Sequence, residues 1–190
     1  LDDQDRYKNL VVVNNRIENA DIAIDLDEND AIIHDVSIID NIVGGNIRMG
    51  TSLSSARSTV ETVVIGNQVN SPNGWCIFLE GSSDNSQSNN TLLAEFLDNT
   101  ISCGLNISGE GNNELIQAVV KGNRFLNGEV ISYNSSGGNN TIITDILSNQ
   151  FISNSVSSSI SVPISLNGGS GGNNNKKKKK IHDNDLSDSL

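Results

Sequence analysis

Residues 91–101 read Thr-Leu-Leu-Ala-Glu-Phe-Leu-Asp-Asn-Thr-Ile. Leu92, Ala94 and Phe96 stand at every second position, the pattern of a strand that turns one face inward. The alternation ends at Asn99, and an apolar Ile101 follows two places later. The same frame recurs through the chain on Asn15, Asn41, Asn67, Asn99, Asn123, Asn149 and Asn184, at spacings of 26, 26, 32, 24, 26 and 35. Three places before these asparagines stand Val12, Ile38, Val64, Phe96, Val120, Ile146 and Ile181; two places after stand Ile17, Val43, Val69, Ile101, Phe125, Phe151 and Leu186. All fourteen flanking positions are apolar in a chain that is 35% apolar, so the frame is not coincidental.

Between successive asparagines lies a second set of short alternations: Ile24/Leu26, Ile47/Met49, Ile77/Leu79, Leu105/Ile107, Ile131/Tyr133 and Ile164/Leu166. Turn-forming stretches follow them, such as Gly109-Glu110-Gly111 and Ser135-Ser136-Gly137-Gly138. Each unit therefore carries two or three short strands. A hairpin sandwich gives no reason for one asparagine per unit. A coil does, because equivalent positions then stack about 4.8 Å apart along its axis. The reading is an all-β parallel β-helix of about seven turns of 24–35 residues, a rod roughly 30 Å long. The asparagines form a structural ladder: their amides both donate and accept, and they suit tight bends.

Stretches such as Gly104-Leu105-Asn106-Ile107-Ser108, through Asn112-Asn113 to Gly122-Asn123-Arg124-Phe125, resemble the repeat of right-handed, pectate-lyase-like β-helix proteins. The resemblance implies a right-handed single-stranded β-helix. It spans polysaccharide lyases, hydrolases, tailspikes, adhesins and surface proteins, so it does not single out a reaction.

Composition agrees with the coil. The chain has 190 residues, with 29 Asn, 26 Ser and 22 Ile against 6 Ala, a poor mixture for helices. The net charge of −11 argues against nucleic acid as main partner. No apolar run is long enough to span a membrane. Residues 1–190 read as one domain, compatible with an excerpt from a longer solenoid, with residues 168–180 a flexible Gly/Asn/Lys-rich loop before the last turn. Residue 1 is expected to be a processing boundary.

The chemistry-bearing residues are few. No Ser/His/Asp or Cys/His constellation involves His34 or His182, so no catalytic residue is assigned. Cys76 and Cys103 lie about one turn apart, but the strand alignment offsets them, which favours two free thiols over a bridge. Asp25, Asp27 and Asn29 imitate the first ligands of a calcium loop without its later glycine and glutamate, so calcium is the one cofactor considered. Trp75 and Phe78 form an aromatic pair suited to stacking on a sugar ring. Arg48, expected one turn above Asp25, completes a candidate polysaccharide surface. Lys177 and Lys179 fall at inward positions, which predicts a frayed last turn. Abundant Asn, Ser and Thr, with sequons at Asn89, Asn106, Asn134 and Asn139, suit an extracellular or cell-surface location.

The outward positions carry a further signal. Two places before the ladder stand Val13, Ile39, Ile65, Leu97, Lys121, Leu147 and His182; four before stand Val11, Ser37, Val63, Glu95, Val119, Asp145 and Lys180. Val13, Ile39, Val63, Ile65, Leu97, Val119 and Leu147 then form an apolar outer stripe, the mark of a contact surface. The expected function is a non-catalytic, structural or adhesin-like module that associates as a lateral homo-oligomer or filament. The alternative is a carbohydrate-binding or polysaccharide-degrading β-helix.

Overall fold

The computed structural model describes residues 6–27, 29–51, 56–72, 75–81, 88–126, 130–134, 138–153, 164–167 and 176–188, of which the side chains of 130–134, 153, 164–167, 176–179 and 186–188 are left undescribed. These residues form an all-β parallel solenoid, each pass laying strands into three sheets. The first sheet holds Ile32–Ile39, Thr59–Ile65, Thr91–Leu97, Leu115–Lys121, Thr141–Leu147 and Lys176–His182, with Arg6–Lys8 and Val11–Val13 both paired to Ile32–Ile39. The second sheet holds the short strands after each ladder asparagine, from Arg16–Ile17 to Asp185–Asp188. The third holds Ile22–Leu26, Ile47–Thr51, Trp75–Glu80, Gly104–Gly109, Val130–Asn134 and Ile164–Asn167. With eight, seven and six strands in the sheets, the coil matches the expected length to within a turn or two.

The core is built from columns. Val64, Phe96, Val120 and Ile146 stack in register and are fully buried. Thr62, Ala94, Ala118 and Thr144 form a parallel column of small residues beside them. From the second sheet Phe125 stacks on Phe151 with ring centroids 4.8 Å apart.

At the bend the asparagines bond continuously. Each backbone N–H from Asn15 to Asn149 donates to the Oδ1 of the next ladder asparagine at 2.9–3.0 Å. Each Nδ2 donates to the same oxygen at 2.9–3.0 Å. From Asn41 onward, Nδ2 also reaches a carbonyl of the preceding turn, as in Asn99 Nδ2 to Val64 O at 2.8 Å.

The strained backbone of the bend lies elsewhere than expected. Positive φ falls on the residue before each ladder asparagine: Asn14, Asp40, Gly66, Asp98, Gly122, Ser148 and Asp183. From Asp40 to Gly122 this column alternates acid and glycine for a steric reason. A Cβ on Gly66 would collide with the Asp40 carboxylate, and one on Gly122 with that of Asp98. The glycines thereby keep carboxylates out of adjacent rungs, where like charges would face each other across about 4.8 Å.

A second polar column, unforeseen in the sequence, caps the other end of the long strands. Ala31 N donates to Ser58 Oγ at 3.3 Å, Ser58 N to Asn90 Oδ1 at 3.0 Å, and Glu114 N to Asn140 Oδ1 at 2.9 Å. Asp30, Arg57, Asn89, Asn113 and Asn139 precede this column with positive φ, as at the first bend.

Several expectations need correction. The third-sheet register is set by Ile22 on Ile47 and Ile24 on Met49, so Arg48 lies beside Ala23, and Asp25 beside Gly50. Five alternating residues admit two frames with buried apolar side chains, and the chain takes the other one. Further on, Val130 and Ser132 pair with Leu105 and Ile107, where Ile131 and Tyr133 were expected, a one-residue slip.

Cys76 and Cys103 form a disulfide, with Cα atoms 5.4 Å apart. Trp75 pairs with Gly104 and Ile77 with Leu105, so Cys76 is the extra residue of a β-bulge. The bulge takes Cys76 out of the pairing, and the bond to Cys103 forms although the strand register leaves the two offset, so the offset was no argument for free thiols. Lys176–His182 pair along their whole length with Thr141–Leu147, so these backbones neither fray nor loop out, and residues 168–175 lie outside the described set.

Candidate functional site

Two outer faces carry side chains that the core does not use. The first is on the third sheet. Arg48, Phe78 and Asn106 stack in one column, and Gly50, Glu80 and Ser108 in the next. Arg48 is exposed; Phe78 and Trp75 are half-buried. Arg48 Nη2 lies 3.9 Å from Glu80 Oε2. Burial pushes the Glu80 carboxyl above its ordinary 4.5; Arg48 opposes that shift, and the negative charges of Glu110 and Asp25 add to it. Glu80 thus keeps its proton to higher pH than a free glutamate and can donate a hydrogen bond. Asn106 and Ser108 are buried, and Oδ1 of the first and Oγ of the second have no hydrogen-bond partner among the described residues.

The exposed Arg48, the half-buried Phe78 and Trp75 and the Glu80 carboxyl are the groups on this face that a hydroxylated ring could reach, while Asn106 and Ser108 lie beneath it. The sequence reading had found Arg48, Phe78 and Trp75, and had counted one carboxylate in their column. It missed Glu80, Asn106 as a buried group, and Ser108. Glu80 was discoverable, since it stands two places after Phe78 and so on the same face. Asn106 is too buried to carry the glycan its sequon suggests.

Asp25 and Asp27 are exposed and Asn29 is half-buried. Among the described residues no three His, Cys, Asp or Glu side chains are placed to share an ion. His34 and His182 also lie apart. A bulge at His34–Asp35 turns the first toward Glu61, with Nδ1 to Oε2 at 3.0 Å, while His182 is exposed.

The second face is the outside of the first sheet. Val13, Ile39, Ile65, Leu97, Lys121, Leu147 and His182 stack in register. Val63, Glu95, Val119, Asp145 and Lys180 form the neighbouring column. Val13 is exposed; Ile39, Val63, Ile65, Leu97, Val119 and Leu147 are half-buried by their neighbours. Beside them runs a shallow depression of about 370 Å³ that extends from Glu61 to Asp145. Comparison with family models, with curated proteins and with solved structures gives no match.

Proposed function

We propose that this chain is an extracellular structural or adhesin-like module, a right-handed β-helix in type, that associates with further copies through the apolar outer face of its first sheet. The observation that carries this reading is the stacked column Ile39, Ile65, Leu97 and Leu147, with Val63 and Val119 beside it. The core needs none of these side chains, since the strands bury their other face. Apolar residues repeated on one exposed face mark contact surfaces. The Cys76–Cys103 bridge supports an oxidising compartment, where such bonds persist.

The test is sedimentation velocity on wild type and on Ile65→Asp with Leu97→Asp. Wild type should associate, and the double variant should run smaller with an unchanged β-sheet circular-dichroism signal. A wild type that stays monomeric at high concentration, with no change in the variant, refutes the reading.

A second reading, carbohydrate binding or cleavage, is favoured by the face that carries Arg48, Phe78 and Glu80. Incubation with acidic polysaccharides and calcium, read as unsaturated product by absorbance, decides it. Turnover that Arg48→Ala abolishes would establish the enzyme and displace the structural reading.

A further inference from the structure

The order of charges along the first sheet specifies how two copies meet. On consecutive rungs the outward residues include Glu61, then Glu95, then Lys121, then Asp145, then Lys180. In the depression the acids alternate with apolar groups: Glu61 beside Val63, Leu93 beside Glu95, Gln117 beside Val119, Ile143 beside Asp145. Glu95, Lys121, Asp145 and Lys180 make no ion pair within the chain among the described residues. Any copy that covers this face must meet those charges, because isolated charges buried in an apolar contact are costly.

Two rods facing each other in parallel set each rung against itself, acid on acid. Antiparallel rods related by a two-fold axis along the strands keep each column facing its own kind and reverse the rung order. Placing the axis between the strands Leu115–Lys121 and Thr141–Leu147 sets Lys121 against the partner's Asp145 rung, and Glu95 against the partner's Lys180 rung. A shift of one rung either way sets Glu95 against Asp145, or Lys121 against Lys180.

Resting on the self-association reading above, we propose that the contact is a two-fold antiparallel dimer centred between the strands Leu115–Lys121 and Thr141–Leu147. Glu95 of each copy then meets Lys180 of the other within one column, while Lys121, which faces the partner's Leu147, reaches diagonally to the partner's Asp145 two places along the same strand. The run Lys176–Lys180 contains 5 of the 12 basic residues in a chain of net charge −11. The backbone of Lys176–Lys180 runs in register with that of Thr141–Asp145. Apolar Val119, Ile143 and Leu147 flank the ion pairs, where long lysine stems can lie on them.

A charge exchange tests the axis. Asp145→Lys alone sets lysine against Lys121, and Lys121→Glu alone sets acid against Asp145. Each variant by itself should raise the dimer dissociation constant by about tenfold or more. An equimolar mixture restores both pairs and should return it to near the wild-type value. Far-UV circular dichroism checks that the substitutions at exposed Lys121 and half-buried Asp145 leave the coil folded.

Restoration in the mixture supports the proposed axis. If the single variants associate like wild type, or the mixture is no tighter than either alone, the proposal fails. If wild type associates and Ile65→Asp with Leu97→Asp dissolves it while the charge variants do nothing, the apolar reading stands without this geometry. A wild type that remains monomeric defeats both.

Discussion

Breaking the ladder in its middle should cost far more than breaking it at its end. The Asn99 side chain donates to Val64 O at 2.8 Å and to Asn123 Oδ1 at 2.9 Å, and accepts from the Asn67 backbone at 2.9 Å and Asn67 Nδ2 at 3.0 Å. Several partners keep another bond in Asn99→Ala. Asn67 Nδ2 still reaches Ile38 O and Ile65 O, and Asn123 Oδ1 still accepts from Asn99 N. The buried Asn67 N–H loses its acceptor, which costs about 1–3 kcal/mol, and Val64 O loses a donor, about 0.5–1.5 kcal/mol. The expected loss is therefore about 2–4 kcal/mol. Asn15 lies at the exposed end and among the described residues its side chain donates to Val13 O and Asn41 Oδ1, so Asn15→Ala should stay within about 0.5 kcal/mol.

Asn99→Asp sharpens the test. It keeps the acceptor for Asn67 but turns a second oxygen toward Val64 O and Asn123 Oδ1. At neutral pH it should fall below Asn99→Ala, because a carboxylate is buried against two acceptors. In acid it should recover part of the loss, since the protonated group can donate one bond. Urea unfolding followed by far-UV circular dichroism at both pH values reads all four proteins. A loss below about 1 kcal/mol for Asn99→Ala, or one equal to that of Asn15→Ala, would show that the ladder follows the coil and does not hold it.

Phe96 is fully buried, so Phe96→Ala should lower stability in the same urea assay by about 3–5 kcal/mol. Replacing both Cys76 and Cys103 with Ser opens a loop whose ends are 27 residues apart and should cost about 3–4 kcal/mol, seen as a lower midpoint that reductant reproduces in wild type. Gly66→Ala adds a Cβ at φ +67°, against the Asp40 carboxylate; thermal unfolding should show a clear loss that Asp40→Ala relieves in part, leaving the left-handed backbone cost of about 1–2 kcal/mol. Burial raises the Glu80 carboxyl, so its protonated form favours folding and that contribution is lost as pH rises through its folded value. Glu80→Gln should thus gain on wild type from pH 3.5 to pH 7 in paired urea titrations.

The sequence was most legible where one residue type had one job. Ladder asparagines between apolar flanks located the bend and the strand before it, because a buried amide at a bend has few substitutes. The second polar column escaped notice because its positions are filled by Ser58, Asn90, Glu114 and Asn140, four residues of three types. Its signal was nevertheless present: these stand nine residues before Asn67, Asn99, Asn123 and Asn149. Third-sheet register was illegible for another reason. Strands of four to six residues with apolar side chains on alternate positions fit two frames, and only contacts with the neighbouring rung choose between them. The disulfide joins residues that the strand register leaves offset, and period-two counting does not register the extra residue at Cys76.

The two columns divide each turn into a fixed part and a free part, and this decides which surfaces carry information. Nine residues separate Ser58 from Asn67, Asn90 from Asn99, Glu114 from Asn123 and Asn140 from Asn149. The return path varies: 23 residues from Asn67 to Asn90, 15 from Asn99 to Glu114, 17 from Asn123 to Asn140. The first sheet is therefore held at constant length by hydrogen bonds at both ends, and its inward positions are filled by the core. Its outward positions take no part in either. Exposed Thr or Lys would fit the pleat there as well as Ile or Leu, and Lys121 does so between Leu97 and Leu147. An apolar residue kept at an outward position is thus not explained by the coil, and neither is the order of charges set among them. The self-association proposed above would account for both, and the exchange of Lys121 and Asp145 asks whether a second copy of the chain is what meets the first sheet.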